Sequence, residues 1–338
     1  AAAIAEAVVT LLDDPERLAT QKRAAWERGR LTIWPRFAEG VAKMIERTVT
    51  PPLSSAGRRE PSFDAVRRMS DSTGMLQHAI GVIADRRHGY CLDDNVRALM
   101  LMNVTSALPD REARDRAAIY ASFIQHAWNP DIGAFRNFMR FDRGWCEDRG
   151  SEDSNGRTIW ALARTALDNP SADIREWATR LYDQVLDHAA ELESPRTVAF
   201  VTLGAAAMLE ARPGHDPSRE AVRRGGDLLE RLLQSSRRPN WLWFESMLAY
   251  DNPRLPQALI AAGEALDRGD WIEIGLETLD WICDRQTTVK GHFRPAGSEG
   301  MGIAYDQRPF DQQKRKAFAG LDRKSTRLNS RHANISYA

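Results

Sequence analysis

Cysteine is scarce in this chain. Cys91, Cys146 and Cys283 are the only three in 338 residues, an odd and scattered set without ligand-like spacing. That usage excludes a disulfide framework, argues against a zinc centre, and fits a reducing cytoplasm. The sequence shows no signal-peptide pattern and no apolar run of membrane-spanning length, so no membrane span is expected. A Gly-rich phosphate loop and a metal-ligand cluster are missing too, so neither a cofactor nor a metal is expected. Charge of one sign is not in excess either. Lys+Arg and Asp+Glu stand at 47 each, which leaves no global field to draw in nucleic acid or an acidic surface.

What the chain does have is one repeated phrase. His88-Gly89-Tyr90-Cys91-Leu92-Asp93-Asp94-Asn95 breaks at Gly89, offers Asp93, Asp94 and Asn95 as helix caps, and runs into the apolar stretch from Val96 to Met102. Glu152-Asp153-Ser154-Asn155-Gly156-Arg157 opens a second helix, and Tyr250-Asp251-Asn252-Pro253-Arg254 a third. Phe310-Asp311-Gln312-Gln313 is an interrupted copy, and Ser194-Pro195-Arg196-Thr197 a weaker one. The marker positions 95, 155, 252 and 312 are separated by steps of 60, 97 and 60, the double step bracketing the weak copy. A period of that size marks a supersecondary unit that cannot bury its apolar face alone.

Periodicity places the rest. Helices occupy the first 49 residues, with Asp13-Asp14-Pro15 ending one and starting the next, and Trp34-Pro35-Arg36-Phe37 starting a third. Residues 50–62, rich in Pro and Ser, form a linker. Asp71-Ser72-Thr73-Gly74 reads as a turn and cap before an apolar segment from Met75 to Ile80, on which His78 is more economically a structural histidine than a ligand. Then helices come in pairs: Asn95–Ala107 with Arg111–Trp128, Asn155–Leu167 with Ile174–Leu192, Arg196–Ala211 with Ser218–Ser235, and Arg254–Asp267 with Asp270–Thr287. The first member of each pair is apolar nearly all round and the second is amphipathic, which predicts an inner and an outer layer of helices. The fold class expected is therefore all-α, an (α/α) toroid of helical hairpins. Gly133–Phe138, Trp241–Glu245 and Gly291–Pro295 read as short strands or extended loops leading into the next inner helix.

These motifs, in this order, resemble one known domain: the six-hairpin-glycosidase-like (α/α) barrel fused behind the GT-B domains of some bacterial family 4 glycosyltransferases. The resemblance runs from about Ser70 to Gln313, and the first 49 residues resemble the closing helices of the GT-B domain itself. It implies a toroid over residues 63–313, a carbohydrate ligand, and an upstream GT-B domain as partner. A complete toroid of this type has six hairpins, and four pairs plus the start of another are present. Residues 314–338 read as a non-native tail, since Asp322–Ser330 is similar to translated sequencing-adapter read-through at the ends of metagenomic gene fragments.

Glycoside chemistry works through a pair of carboxyl groups flanking the anomeric carbon. The acids expected at the mouth are Asp93, Asp94, Glu152, Asp153, Glu245, Asp251 and Asp311. Glu152 and Glu245 lead as acid and base because neither sits at a cap position, with Asp94 next. For Asp93, Asp153 and Asp251, capping competes with sugar contact. His88, Tyr90, Arg149, Trp241, Trp243, Asn252, Arg254, His292 and Arg294 are expected to contact sugar, aromatic faces stacking on pyranose rings and polar heads bonding hydroxyls. Three functions fit: a carbohydrate-active catalytic domain, a sugar epimerase with His88 opposed to His292, and a non-catalytic glycan-binding module.

Overall fold

The computed structural model describes residues 2–29, 40–41, 43–44, 62–288, 291, 293 and 301–302. The chain divides into two compact units, Ala1–Ser62 and Phe63–Ala338. The start of the helix expected from Trp34, the linker up to residue 61, the interrupted copy at 310–313 with Asp311, and the tail at 314–338 lie outside the described residues, as do His292 and Arg294; residues 40–41 and 43–44 are helical.

In the first unit, α1 (Ala2–Leu12) and α2 (Pro15–Gly29) meet at the expected break. Asp14 accepts the Arg17 amide at 3.0 Å and Pro15 opens the helix, a position where its missing N–H costs nothing.

The second unit starts with α3 (Asp64–Met69). The segment expected to follow Asp71–Gly74 as a helix is instead extended. Asp71 Oδ1 accepts the Thr73 and Gly74 amides, and the chain then pairs Leu76 with Tyr90 and makes the hairpin β1 (Ala79–Ile80) and β2 (Ile83–Ala84). After a 3₁₀ turn at Arg86–His88, β3 (Tyr90–Cys91) leads directly into α4 (Leu92–Val104). The remaining helices are α5 (Asp110–Ala127), α6 (Glu152–Asp168), α7 (Ala172–Leu186), α8 (Pro195–Ala211), α9 (Asp216–Ser236), α10 (Arg254–Leu266) and α11 (Gly269–Arg285). Short strands β4 (Trp128–Asn129), β5 (Ala134–Phe135), β6 (Phe138–Met139), β7 (Met247–Leu248) and β8 (Met301–Gly302) fill the connections, pairing antiparallel as β3 with β6, β4 with β5 and β7 with β8. No described helix is long and apolar enough to cross a membrane.

The four expected pairs are present: α4 packs on α5, α6 on α7, α8 on α9 and α10 on α11. The first members also pack on one another in chain order, α4 on α6, α6 on α8 and α8 on α10. Their sequences require it. In α8 every residue from Arg196 to Leu209 is buried, and in α6 every residue from Ser154 to Ala166. By contrast, α9 buries only Ser218, Val222, Gly225, Gly226, Leu229 and Leu233, one stripe of a helix whose other side meets water.

The contact that joins α6 to α8 is made close by glycine. A Cβ on Gly156 would lie 2.8 Å from Thr197 Cγ2, and one on Gly204 would lie 2.9 Å from the Trp160 Cα. Each helix therefore lends the other a notch. Apolar packing follows the same seam, one buried cluster centred on α4 to α7 and a second on α8 to α11, with Trp160 of α6 reaching into the second and Met208 of α8 into the first.

Candidate functional site

The repeated asparagine is a structural clasp. Asn95 Oδ1 accepts the Met75 amide and its Nδ2 donates to the Met75 carbonyl; Asn155 does both with Phe135, and Asn252 both with Ala249. Each copy thus ties the start of an inner helix to the extended segment before it, giving the buried backbone there a hydrogen-bond partner.

The acids expected as caps do not cap. The first helical residue of α4 is Leu92, so Asp93 and Asp94 lie inside the first turn. The cap comes from elsewhere in the chain: the Asn137 carbonyl accepts the Leu92 amide at 2.7 Å, and Asn137 Oδ1 accepts that of Asp93 at 3.4 Å. Ser151, not Asp153, caps α6 through Oγ to the Ser154 amide, and Asp251 precedes α10 by two residues beyond Pro253. Freed from capping, these carboxylates turn to arginines.

Arg157 is the centre of that arrangement. Its side chain is 5% exposed, and it meets Asp93 at 2.7 Å, Asp251 at 3.0 Å and Asp153 at 3.2 Å, bringing together the first turns of α4 and α6 and the approach to α10. Burial opposes its charge, but the three carboxylates outweigh burial and hold the guanidinium above its ordinary range. One face of it lies over the Phe200 ring, 4.1 Å from the centroid. Asp93 also pairs with Arg97 at 2.5 Å, and Arg97 with Asp94 at 2.5 Å.

A second buried guanidinium continues the network. Arg196, at the start of α8, donates to Glu245 at 2.8 Å, to Asn252 Oδ1 at 3.0 Å and to the Tyr250 carbonyl at 2.5 Å. The Tyr250 ring lies under it, and its hydroxyl bonds Asp153 of the first set; burial, then Asp153, pushes that hydroxyl well above its ordinary pKa. Arg254 sits over the Trp160 ring and donates to Gln257. The N-terminal ends of four inner helices are thereby joined by five carboxylates and the three arginines paired with them, Arg97, Arg157 and Arg196, with Tyr250 linking the two sets. The carboxyl groups most open to water are Asp94, Glu245 and Asp153, with side chains 26%, 24% and 21% exposed.

No protein-family model matches this chain, and no curated protein matches it. Its site is therefore read from its own residues.

Not every expected residue joins the network. Glu152 turns the other way: its Oε2 accepts the Glu193 and Ser194 amides at 3.1 and 2.9 Å, so it anchors the approach to α8. Arg149, bonded to the Ile132 carbonyl, shares with Glu152 and His188 a pocket of about 40 Å³, room for roughly one water. His88 lies half-exposed against the His78 ring, 4.5 Å between centroids, and 3.6 Å from Asp85. Tyr90, Trp241 and Trp243 are corrections. They are 1%, 4% and 0% exposed and offer no face to a sugar. Tyr90 donates to Asp71 between aromatic neighbours, and the two tryptophans pack on Trp281 inside the second core. The larger grooves, about 460 Å³ beside Trp281 and about 300 Å³ beside Trp177, lie on the outer helices.

Reasoning from acids alone missed Arg97, Arg157, Arg196 and Tyr250. The signal was in the repeat: an arginine stands two residues after each clasp asparagine, at Arg97, Arg157 and Arg254, and Arg196 holds the same place in the weak copy.

Proposed function

We propose that this chain carries the carbohydrate-active (α/α) toroid domain of a bacterial glycosyltransferase fusion, acting on an oligo- or polysaccharide by carboxylate acid/base chemistry. The observation that carries the reading is the convergence of Asp93, Asp94, Asp153, Glu245 and Asp251, spread over more than 150 residues of sequence, on one linked set of side chains at the same end of four inner helices. Four helix pairs whose first members touch in chain order are what part of a toroid requires. In this reading Glu245 and Asp94 take the two carboxyl roles, one protonating the leaving oxygen and the other activating water or the acceptor hydroxyl. Glu152, held by two backbone amides, keeps the α8 approach in place. Arg196 fixes Glu245 and Arg97 fixes Asp94.

The test is Glu245→Gln in a full-length homologue, assayed on a glycan panel with and without nucleotide sugars. Turnover is expected to disappear while the helical fold persists; turnover at the wild-type rate removes Glu245 from the mechanism. A second reading, a non-catalytic module that holds the acceptor glycan for the transferase, is favoured by one observation: each carboxylate of the network faces a guanidinium. Under that reading glycan binding survives in Glu245→Gln and no preparation turns glycan over. The epimerase reading needs His88 opposed to His292, which lies outside the described residues; His88 itself meets the His78 ring edge-on.

A further inference from the structure

Between α3 and α4 the chain extends a hairpin with apolar side chains that no other described residue covers. Ile80, Val82 and Ile83 are 65%, 65% and 67% exposed, against the gain each would make on leaving water. Gly81, at φ 61°, makes the tight turn that sets Ile80 opposite Ile83. Arginines flank the hairpin. Arg86 and Arg87 follow β2, and Arg140 and Arg143 lie on the turn after β6. The two turns touch: Phe141, 43% exposed, has the Arg86 guanidinium 5.3 Å from its ring centroid. The acids in this patch are Asp85 and Asp142, which Arg87 and Arg140 engage at 2.8 and 3.2 Å; Asp71, nearby, accepts from Tyr90. Four arginines thus face two carboxylates around an aliphatic tip.

We propose that this hairpin docks the protein on an anionic lipid bilayer. Ile80, Val82 and Ile83 enter the acyl boundary, Phe141 sits at headgroup depth, and Arg86 and Arg143 meet lipid phosphates. The shape favours a bilayer over a protein groove-binder, because strands of two residues give no edge long enough to take a peptide strand. Charge argues against a second copy of the chain, since pairing two tips would set arginines against arginines. The chain's net charge is zero, so the attraction is local, and it acts within about one Debye length of the surface.

Flotation of the full chain with vesicles tests this. With phosphatidylcholine vesicles containing phosphatidylglycerol, the protein is expected to float, less so as salt rises. Val82→Asp is expected to cut the bound fraction about tenfold or more, and Arg86→Glu with Arg143→Glu by a smaller factor. These side chains are exposed, so the variants keep the wild-type circular dichroism. Several results overturn the proposal: wild-type protein that stays at the bottom, flotation equal on phosphatidylcholine alone, or Val82→Asp floating as wild type does, which would move the contact to the exposed face of α1. A dimer that Val82→Asp dissolves, without flotation, overturns it in favour of self-association.

Discussion

The two ends of the inner helices are built on opposite electrostatic terms. At the N-terminal ends, arginines answer the five carboxylates of the network, and helix dipoles favour carboxylates there. At the C-terminal ends, Asp168 of α6 and Glu264 of α10 are pushed above the ordinary carboxylate range by burial, relieved in Asp168 by Arg164 at 2.5 Å and aggravated in Glu264 by the charge of Glu210. At one end guanidiniums hold the carboxylates in fixed places, while at the other burial works against the charge of two carboxyl groups. Fixed charge in fixed geometry is what recognition needs, which makes the N-terminal end the one to test for function.

The sharpest way to break this contrast is Arg157→Met. Removing the shared cation takes the guanidinium from buried Asp251 and leaves Asp93 with Arg97, and a loss of about 3–5 kcal/mol is expected by denaturant titration. Next is the clasp. Asn155→Ala takes the acceptor from the buried Phe135 amide, while the Phe135 carbonyl keeps the Gly150 amide, and a loss of about 1–3 kcal/mol is expected, read as a shifted urea midpoint. Asn95→Ala and Asn252→Ala should fall in the same range if the clasps are equivalent. Smallest is Glu264→Gln. A raised carboxyl pKa means that the folded state holds its proton to higher pH than the unfolded chain. Stability is then lost as pH climbs from the ordinary glutamate value through the raised one. The substitution should flatten that slope and raise the melting temperature at neutral pH. A melting curve whose pH dependence is untouched would remove burial of Glu264 from the account.

Much of the helical layout was legible in the sequence because it rests on amphipathicity. The expected starts of α6, α8 and α10 and the division into buried and half-wet helices agree with the structure to within a few residues. The expected start at Asn95 lies three residues inside α4, because the cap is Asn137, which chain-local reasoning cannot see. The site was legible only in part. Acids at helix starts identified Asp93, Asp94, Asp153 and Asp251, and an acid in an extended stretch identified Glu245. Aromatic residues beside loop signals suggested sugar platforms, yet Trp241 and Trp243 fill the core. A tryptophan near a turn has the same pattern whether its face meets ligand or leucine. The arginines were hidden because a charge on an otherwise apolar helix is ordinarily a solvated one, and Arg157 and Arg196 are not.

The reciprocal notches at Gly156 and Gly204 have a consequence beyond close packing. Slide α6 along α8 by one turn, about 5.4 Å, and bulky side chains replace hydrogen atoms at both crossing points. The two helices thus have a single permitted register, like a key cut on both edges. That register sets where Arg157 stands when the chain returns, almost a hundred residues later, with Asp251.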